Sequence, residues 1–528
     1  MTELLQIRRA LISVSDKTGL IDLAKALIGF GIDLISTGGT ATAIREAGLK
    51  VTEVSELTGF PEMMGGRVKT LHPNVHGGLL GLRDSKLHIS EMGKHDIKNI
   101  DLLIVNLYPF EETVEAGFDF NKCIEKIDIG GPAMLRSAAK NHKFVNVVTD
   151  TEDYKNLLDE LQKNNGKTSY CFRRTLALTA FSRTASYDSA VSEWLAKSTG
   201  QIPKRLTISG ELVEELRYGE NPHQVASFYK TGLTDSGLAG ITKWQGKELS
   251  YNNINDTDAA LNLISEFNQD PKPVCVIIKH ANPCGVAFGR TLKDAYLSAL
   301  ACDMTSAFGG IVAFNKILDE ETARELIKLF TEVVIAPDIT KSAKKVFDTK
   351  KNLRLLTSSK SKKSGCEQNQ IRSVSGGFLV QSLDNFEVST SELKVVTKRE
   401  PTSGEARDLI FAWKVAKHVK SNAIVFVKNG ATKGIGAGQM SRVDSTRMAS
   451  LKFQDLTSLS TQSMENEGEL ALASDAFFPF PDGLIKAVEA GVTSVIQPGG
   501  SLRDKEVIEV ADKLDIAMVF TGKRHFRH

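Results

Sequence analysis

"RALISVSDKTGLIDLAKALIGFGIDLISTGG", Arg9–Gly39, decides the fold class. Its first residues form a short apolar run that reads as a strand. A helical pattern, "GLIDLAKALIGFG", follows, and then a second strand, "DLISTGG". Strand, helix and strand in close succession build a parallel sheet with helices on its faces. The alternation continues with "TATAIREAG" as helix, "DLLIVNLYPF" as strand, "GGPAMLRSAAK" as helix and "KFVNVVTD" as strand. Residues 1–150 therefore read as a doubly wound α/β domain, and a Leu- and Ala-rich helical stretch follows over 151–198.

Beyond it, "KSTGQIPKRLTISGE", 197–211, is polar with Gly and Pro and reads as a linker. The second region has strand-like pieces at "VCVIIKH", "GGIVAFN", "AIVFVK", "GIGAG" and "TSVIQPG", separated by helical patterns such as "GEARDLIFAWKVAKHV". It is again α/β, too long for one ordinary domain, and two α/β lobes are expected. "TSSKSKKSGCEQNQ", 357–370, reads as a polar surface loop. No short sequence repeat is evident.

The chain of 528 residues suits roughly two to four domains. A net charge of +2 gives no sign of a polyanionic partner, so no nucleic acid is expected. No apolar run reaches the length of a membrane span, and the N-terminus carries no export pattern. Six cysteines, none in C-x-x-C spacing, read as free thiols in a reducing cytosol.

Three glycine-bearing stretches follow predicted strands, where open α/β sheets bind ligands. These are Ser15, Asp16 and Lys17; Thr37, Gly38, Gly39 and Thr40; and "DIGGP", Asp128 to Pro132. Glycines let backbone N–H groups approach a phosphate, and a helix N-terminus adds partial positive charge. None fits a dinucleotide or nucleoside-triphosphate fingerprint. "GFPEMMGGRVKTLHPNVHGG", 59–78, sets Arg67, Lys69, Thr70, His72 and His76 among five glycines and reads as an anion-binding loop. His72 and His76 have a metal-pair spacing, but Pro73, Asn74 and the following glycines argue against the helix such a pair needs. Tyr108 reads either as a buried ring or as a proton relay, which a neighbouring lysine would favour.

In the second region, "IIKHANPCGVAFG", Ile277–Gly289, resembles part of a zinc deaminase motif. The spacing fails: Ala287 stands where the last ligand is needed, and Asn282 where the glutamate is needed. One cysteine and one histidine cannot fill a tetrahedral site. Cys284 as nucleophile would need a base and a lowered pKa. Lys279 and His280 remain, at the end of an apolar strand, with histidine suited to general acid–base work. Arg217 could clamp a phosphate, and Phe308 could stack on a planar ring. "SDAFFPFPDG", 474–483, reads as a core corner or as an aromatic wall.

Taken together, "SVSDKTG", "STGGTA", "VSELTGFPEMMGGRVKTLHP", "NLYPF", "IDIGGPAMLRSAAKN", "RYGENPHQ", "GKELSYNN", "KHANPCG", "SAFGGIVAFN", "SNAIVFVKNG", "GIGAGQMSRVDS", "SDAFFPFPDG" and "RHFRH" resemble one family. It is the bifunctional purine-biosynthesis family that carries aminoimidazole-carboxamide ribonucleotide (AICAR) formyltransferase and inosine monophosphate (IMP) cyclohydrolase. The resemblance implies a methylglyoxal-synthase-like cyclohydrolase domain over 1–198, with its core at about 1–150. It implies a transferase region over 199–528, built from two cytidine-deaminase-like lobes without zinc. The cosubstrate would be 10-formyltetrahydrofolate, with room for a monovalent cation. The partners would be small molecules and a second copy in a homodimer, in the cytoplasm.

Carried over by resemblance, His280 takes a proton from the amine. Lys279 would stabilise the oxyanion or protonate the folate nitrogen, and Asn422 would orient substrate or the formyl oxygen. Arg217, Tyr218, Phe308, Gly309, Glu332 and Arg442 match AICAR-binding positions. Glu332 stands where some relatives have aspartate. Phe477, Pro479, Asp482, Ser501 and Arg524 match the folate side. In the cyclohydrolase, the resemblance implies that Ser15, Asp16, Lys17, Thr37, Gly38, Gly39, Thr40, Arg67, Thr70 and Asn106 would hold the nucleotide. Lys69 with Tyr108 would relay protons, and Asp128 with Ile129, Gly130 and Gly131 would face the carboxamide and the formyl oxygen. Lys140 is a further catalytic candidate, yet it lies roughly 18 Å beyond Asp128 along a straight helix. The competing reading is a phosphate-binding regulatory module fused to an inactive deaminase-like scaffold.

Overall fold

The computed structural model describes residues 4–232, 237–358, 369–459 and 469–528. The chain divides into two compact units, Met1–Glu211 with Tyr229–Leu233, and Leu212–Phe228 with Thr234–His528. Most of the expected surface loop, with Cys366, lies outside the described residues.

The first unit is built on a five-stranded sheet in the order Thr52–Glu53, Asp33–Ser36, Arg9–Val14, Leu102–Asn106, Asn146–Val148. Every pairing is parallel. Leu102, Leu103, Ile104 and Val105 are all buried, as expected of a strand covered on both faces. Each such side chain contributes roughly 1.5–3 kcal/mol on burial. The helices Leu20–Gly29, Gly38–Glu46, Gly130–Lys140, Asp153–Lys163 and Tyr170–Thr199 fall on the stretches read as helical.

One expectation is corrected. Residues Pro73–Leu80 form a helix, with His72 as N-cap accepting from the Asn74 N–H at 3.1 Å. Proline fits the first helical position because its missing N–H has no partner there. The glycines inside this helix permit close packing rather than breaking it. A Cβ on Gly78 would sit 2.6 Å from the Lys98 carbonyl oxygen.

The second unit is built on a twelve-stranded sheet, and its element order repeats once. The first copy runs edge strand Ile241–Gln245, helix Tyr251–Ser265, hairpin Val274–Lys279 with Asn282–Phe288, and helix Leu292–Cys302. Three parallel strands follow, Ile311–Phe314, Val333–Ala336 and Arg354–Ser358. The second copy runs edge strand Lys394–Val395, helix Ser403–Ala416, hairpin Ile424–Lys428 with Ala431–Gly436, and helix Arg442–Leu459. Its parallel strands are Leu470–Ser474, Val492–Gln497 and Ala517–Phe520. The hairpins meet at Ala287 and Ala431, so both copies share one sheet. Glycine lets each helix cross its hairpin closely. A Cβ on Gly285 would lie 1.9 Å from the Ala299 oxygen, and one on Gly434 2.2 Å from the Ala449 oxygen. Among the described residues no helix is long and apolar enough to cross a membrane.

Candidate active sites

In the first unit the parallel sheet sends its strand ends to one edge. Asn106, at the end of Leu102–Asn106, accepts from the N–H groups of Ser15 (2.6 Å) and Asp16 (3.0 Å) and returns a bond to the Asp16 carbonyl at 2.9 Å. Asn106 therefore fixes the Ser15–Lys17 loop. Thr40 ties the glycine turn to the neighbouring strand through Val14, and Thr37 Oγ1 lies 2.9 Å from Ser13 Oγ. The Lys69 ammonium stands above Gly38, 3.4 Å from where a Cβ would be, and a Cβ on Gly130 would meet Thr70 Oγ1 at 2.7 Å. The loop bearing Lys69 and Thr70 thus lies over both glycine turns. Arg67 points instead to Glu125 in an exposed ion pair.

Asp128 is the centre of this arrangement. Its Oδ1 accepts from the Gly131 N–H at 2.8 Å, and its own N–H donates to the Tyr187 hydroxyl at 2.8 Å. Burial raises its pKa, while the N–H groups of Gly131 and Tyr108 and the Lys69 charge pull the other way. The Tyr108 backbone N–H and the Lys69 charge are brought to Asp128, while the Tyr108 ring lies 6.0 Å from the Lys126 ammonium. Tyr108 is 45% exposed, which removes the buried-ring reading. Ile129 is exposed on the same turn. Lys140 is not brought to the cluster: it ends the helix that Gly130 begins, roughly 15 Å away along the axis. His76 Nδ1 pairs with Ser137 Oγ at 2.9 Å, and burial lowers the pKa of its ring. Among the described residues no group of three or more His, Cys, Asp or Glu could hold a metal ion.

In the second unit, Lys279 and His280 do not simply end a strand. Lys279 pairs with Asn282, so His280 and Ala281 form the two-residue turn of a tight hairpin. The Lys279 ammonium donates to the Phe308 carbonyl. Phe308 is itself 55% exposed and leans on Phe330, with ring centroids 5.2 Å apart. Gly309 follows at φ +70°. Lys279, His280, Asn282, Cys284, Asp303 and Lys452 help to line a cleft of about 200 Å³. Burial pushes the Cys284 thiol up to about 12, so it is no thiolate near neutrality.

Strand directions gather the remaining residues. Val274–Lys279 runs antiparallel to Ile311–Phe314, and Ile424–Lys428 antiparallel to Leu470–Ser474. The start of Asn282–Phe288 and the end of Ala431–Gly436 share an edge, because those strands pair antiparallel. Lys279, His280, Phe308, Gly309, Glu332, Asn422 and Arg442 therefore lie along one edge of the sheet. Phe477, Pro479, Asp482, Ser501 and Arg524 follow the three parallel strands that end there. Arg217 stacks over Tyr218 at 4.8 Å. Their loop is tied to the helix Tyr251–Ser265 by Asn252 donating to the Glu220 carbonyl at 3.3 Å. Asn422 donates to the Gln439 carbonyl and accepts from Arg442, both at 2.8 Å. Arg442 also pairs with buried Asp475. Glu332 is held by Arg354 at 2.5 Å. Phe478 is buried core, whereas Phe480 is 48% exposed, so "SDAFFPFPDG" is both corner and open aromatic surface.

A family model described as AICARFT/IMPCHase bienzyme matches residues 138–452, more than half of the chain. The chain belongs to this bienzyme family. An MGS-like domain model matches residues 19–133, which fall on the parallel-sheet unit. A relative named bifunctional purine biosynthesis protein PurH, from Dinoroseobacter shibae, is 60% identical over all of both chains. One of the same name from Cereibacter sphaeroides is also 60% identical over all of both chains. The crystal structure of ForH covers 36% of this chain and 98% of its own at 39% identity, with a TM-score of 0.32.

In this bienzyme the sequence motifs missed four groups that complete the edge. Asp256 receives the N–H groups of the His280 turn. Asp303 and Lys452 pair at 2.7 Å in the cleft wall, and Asp475 anchors Arg442. Each is distant in sequence from the residue it serves. The one available signal was an acidic residue in "YNNINDTDAA", "ACDMTS" and "SDAFF".

Proposed function

We infer that the chain is a bifunctional purine-biosynthesis enzyme, an AICAR formyltransferase and IMP cyclohydrolase. Membership of the bienzyme family over more than half its length carries this reading. The formyl donor is a folate, read as 10-formyltetrahydrofolate. The AICAR 5-amino nitrogen attacks the formyl carbon, the amine loses a proton, and the folate nitrogen leaves with one. The carboxamide nitrogen of formyl-AICAR then attacks the same carbon, and loss of water gives IMP.

Cyclisation is assigned to 1–198 and transfer to 199–528, with deaminase-like lobes in the latter. In the transferase, His280 accepts the amine proton, and Lys279 holds the oxyanion or protonates the leaving nitrogen. Asn422 and Arg442 orient the nucleotide, and the Phe477, Pro479, Asp482, Ser501 and Arg524 loops hold the folate. The gathering of these residues on one sheet edge supports this reading. In the cyclohydrolase, Lys69 and Tyr108 move protons, and Asp128 with the N–H groups after it faces the carboxamide and the formyl oxyanion. The reaction is intramolecular, so positioning supplies much of its rate. Lys140 is given no part in it. A homodimer, a cytoplasmic location and a monovalent cation belong to the same reading by family resemblance.

The test supplies purified chain with AICAR and 10-formyltetrahydrofolate and follows IMP absorbance. Formation of IMP is expected. No IMP at any enzyme concentration favours the regulatory module on an inactive scaffold.

A further inference from the structure

We propose that Asp256 is a positioning residue for formyl transfer, holding the His280 turn in a backbone conformation its residues resist. This rests on His280 acting in the transferase.

The duplicated sheet supplies an internal comparison. In the first copy the hairpin turns at His280 and Ala281, and in the second at Asn429 and Gly430. All four have positive φ, at 52°, 57°, 56° and 69°. Two-residue turns of this kind favour Asn-Gly because both central residues are left-handed. The second copy carries that pair. The first copy places a histidine and an alanine there, which L side chains resist. Strain of this sort persists where surrounding groups over-determine it, and it clusters at functional sites.

The restraint is visible in both copies. Asp256 Oδ2 accepts from the His280 N–H at 3.1 Å, and Oδ1 from the Ala281 N–H at 2.8 Å. Asp408, on the matching helix, accepts from Asn429 at 2.6 Å and Gly430 at 2.8 Å. Each turn has one further carbonyl contact: Asn282, which accepts from Lys420 N–H at 3.0 Å, donates to the His280 carbonyl at 3.3 Å, and the Phe288 N–H donates to the Gly430 carbonyl at 2.9 Å. Strand direction puts the Asn429 turn on the sheet edge opposite the substrate residues. Asp408 thus holds an easy turn away from the chemistry, and Asp256 holds a strained one within it.

The experiment compares Asp256→Asn, Asp256→Ala, Asp408→Ala and Asp256→Asn with Ala281→Gly, all in the full chain. Asparagine is isosteric and leaves one turn N–H without an acceptor. Asp256→Asn should lower kcat for formyl transfer by about 10- to 100-fold, because small misplacements of reacting groups carry penalties of that size. KM for AICAR should change by less than about threefold, since a positioning defect acts on the chemical step. Cyclisation of supplied formyl-AICAR should be unchanged. Ala281→Gly should restore part of kcat, because glycine accepts the turn without restraint. Asp408→Ala should leave transfer unchanged. The proposal is overturned if Asp256→Asn keeps wild-type kcat, if glycine rescues nothing, or if Asp408→Ala lowers transfer equally. If Asp256→Ala fails to fold, Asp256→Asn decides. An inactive wild-type chain refutes the transferase reading instead.

Discussion

Replacing Gly131 with alanine should slow cyclisation by about 10²-fold while sparing transfer. A Cβ on Gly131 would lie 2.5 Å from Asp128 Oδ2 and 2.7 Å from Leu107 Cδ2, where ordinary contacts begin at 3.4 Å. Relief requires the carboxylate to move by the difference, 3.4 − 2.5, about 0.9 Å. The Gly131 N–H to Asp128 Oδ1 bond is strained by the same movement. The helix itself does not suffer, since alanine is the better helix former by about 1 kcal/mol. The steric cost therefore falls on Asp128 and on Leu107 behind it. A misplacement near 1 Å can cost about 10²-fold in rate, or about 2.7 kcal/mol of barrier. The assay follows IMP from supplied formyl-AICAR, with formyl transfer measured on the same preparation. Cyclisation within about twofold of wild type would refute a catalytic Asp128, given the sensitivity expected of positioned groups.

Other outcomes follow from the same geometry. Cys284→Ala should keep formyl transfer, because a thiol pushed up to about 12 supplies no nucleophile at neutral pH; loss of activity with the fold intact would restore the nucleophile reading. Cyclisation that depends on ionised Asp128 should fall on acidification with a midpoint above the ordinary 3.8, since burial raises this group; a pH–rate profile flat across that range would contradict it. Glu266→Gln should lower the urea midpoint of the second unit by the equivalent of about 3 kcal/mol, because Lys417 loses its buried partner. Burial works against the Glu266 charge, but bonds from His418 and Lys417 override it and hold its pKa near 2. That contribution is present above the ordinary 4.5 and is lost as pH falls through about 2.

The parallel sheet of the first unit was legible because its strands are short apolar runs closed by polar turns, as in "RALISVSD" and "DLLIVN". The helix Pro73–Leu80 was not, because Gly77 and Gly78 look like loop residues. Their real task is close approach to residues 97–100, a tertiary demand that no local pattern reports. The duplication in the second unit was hidden for a related reason. Its copies share backbone geometry but not side chains, with His280-Ala281 in one turn and Asn429-Gly430 in the other. Lys279 and His280 were found by residue type. Their hairpin was missed because His-Ala is a poor turn sequence, and the carboxylate that compensates comes from another helix.

Two variants measured in both reactions test the central claim of separate chemistry in one chain. His280→Ala should lose formyl transfer and still cyclise supplied formyl-AICAR. Lys69→Ala should lose cyclisation and still form formyl-AICAR from AICAR and the folate. Loss of both reactions in either variant, with the fold intact by circular dichroism, would contradict the account.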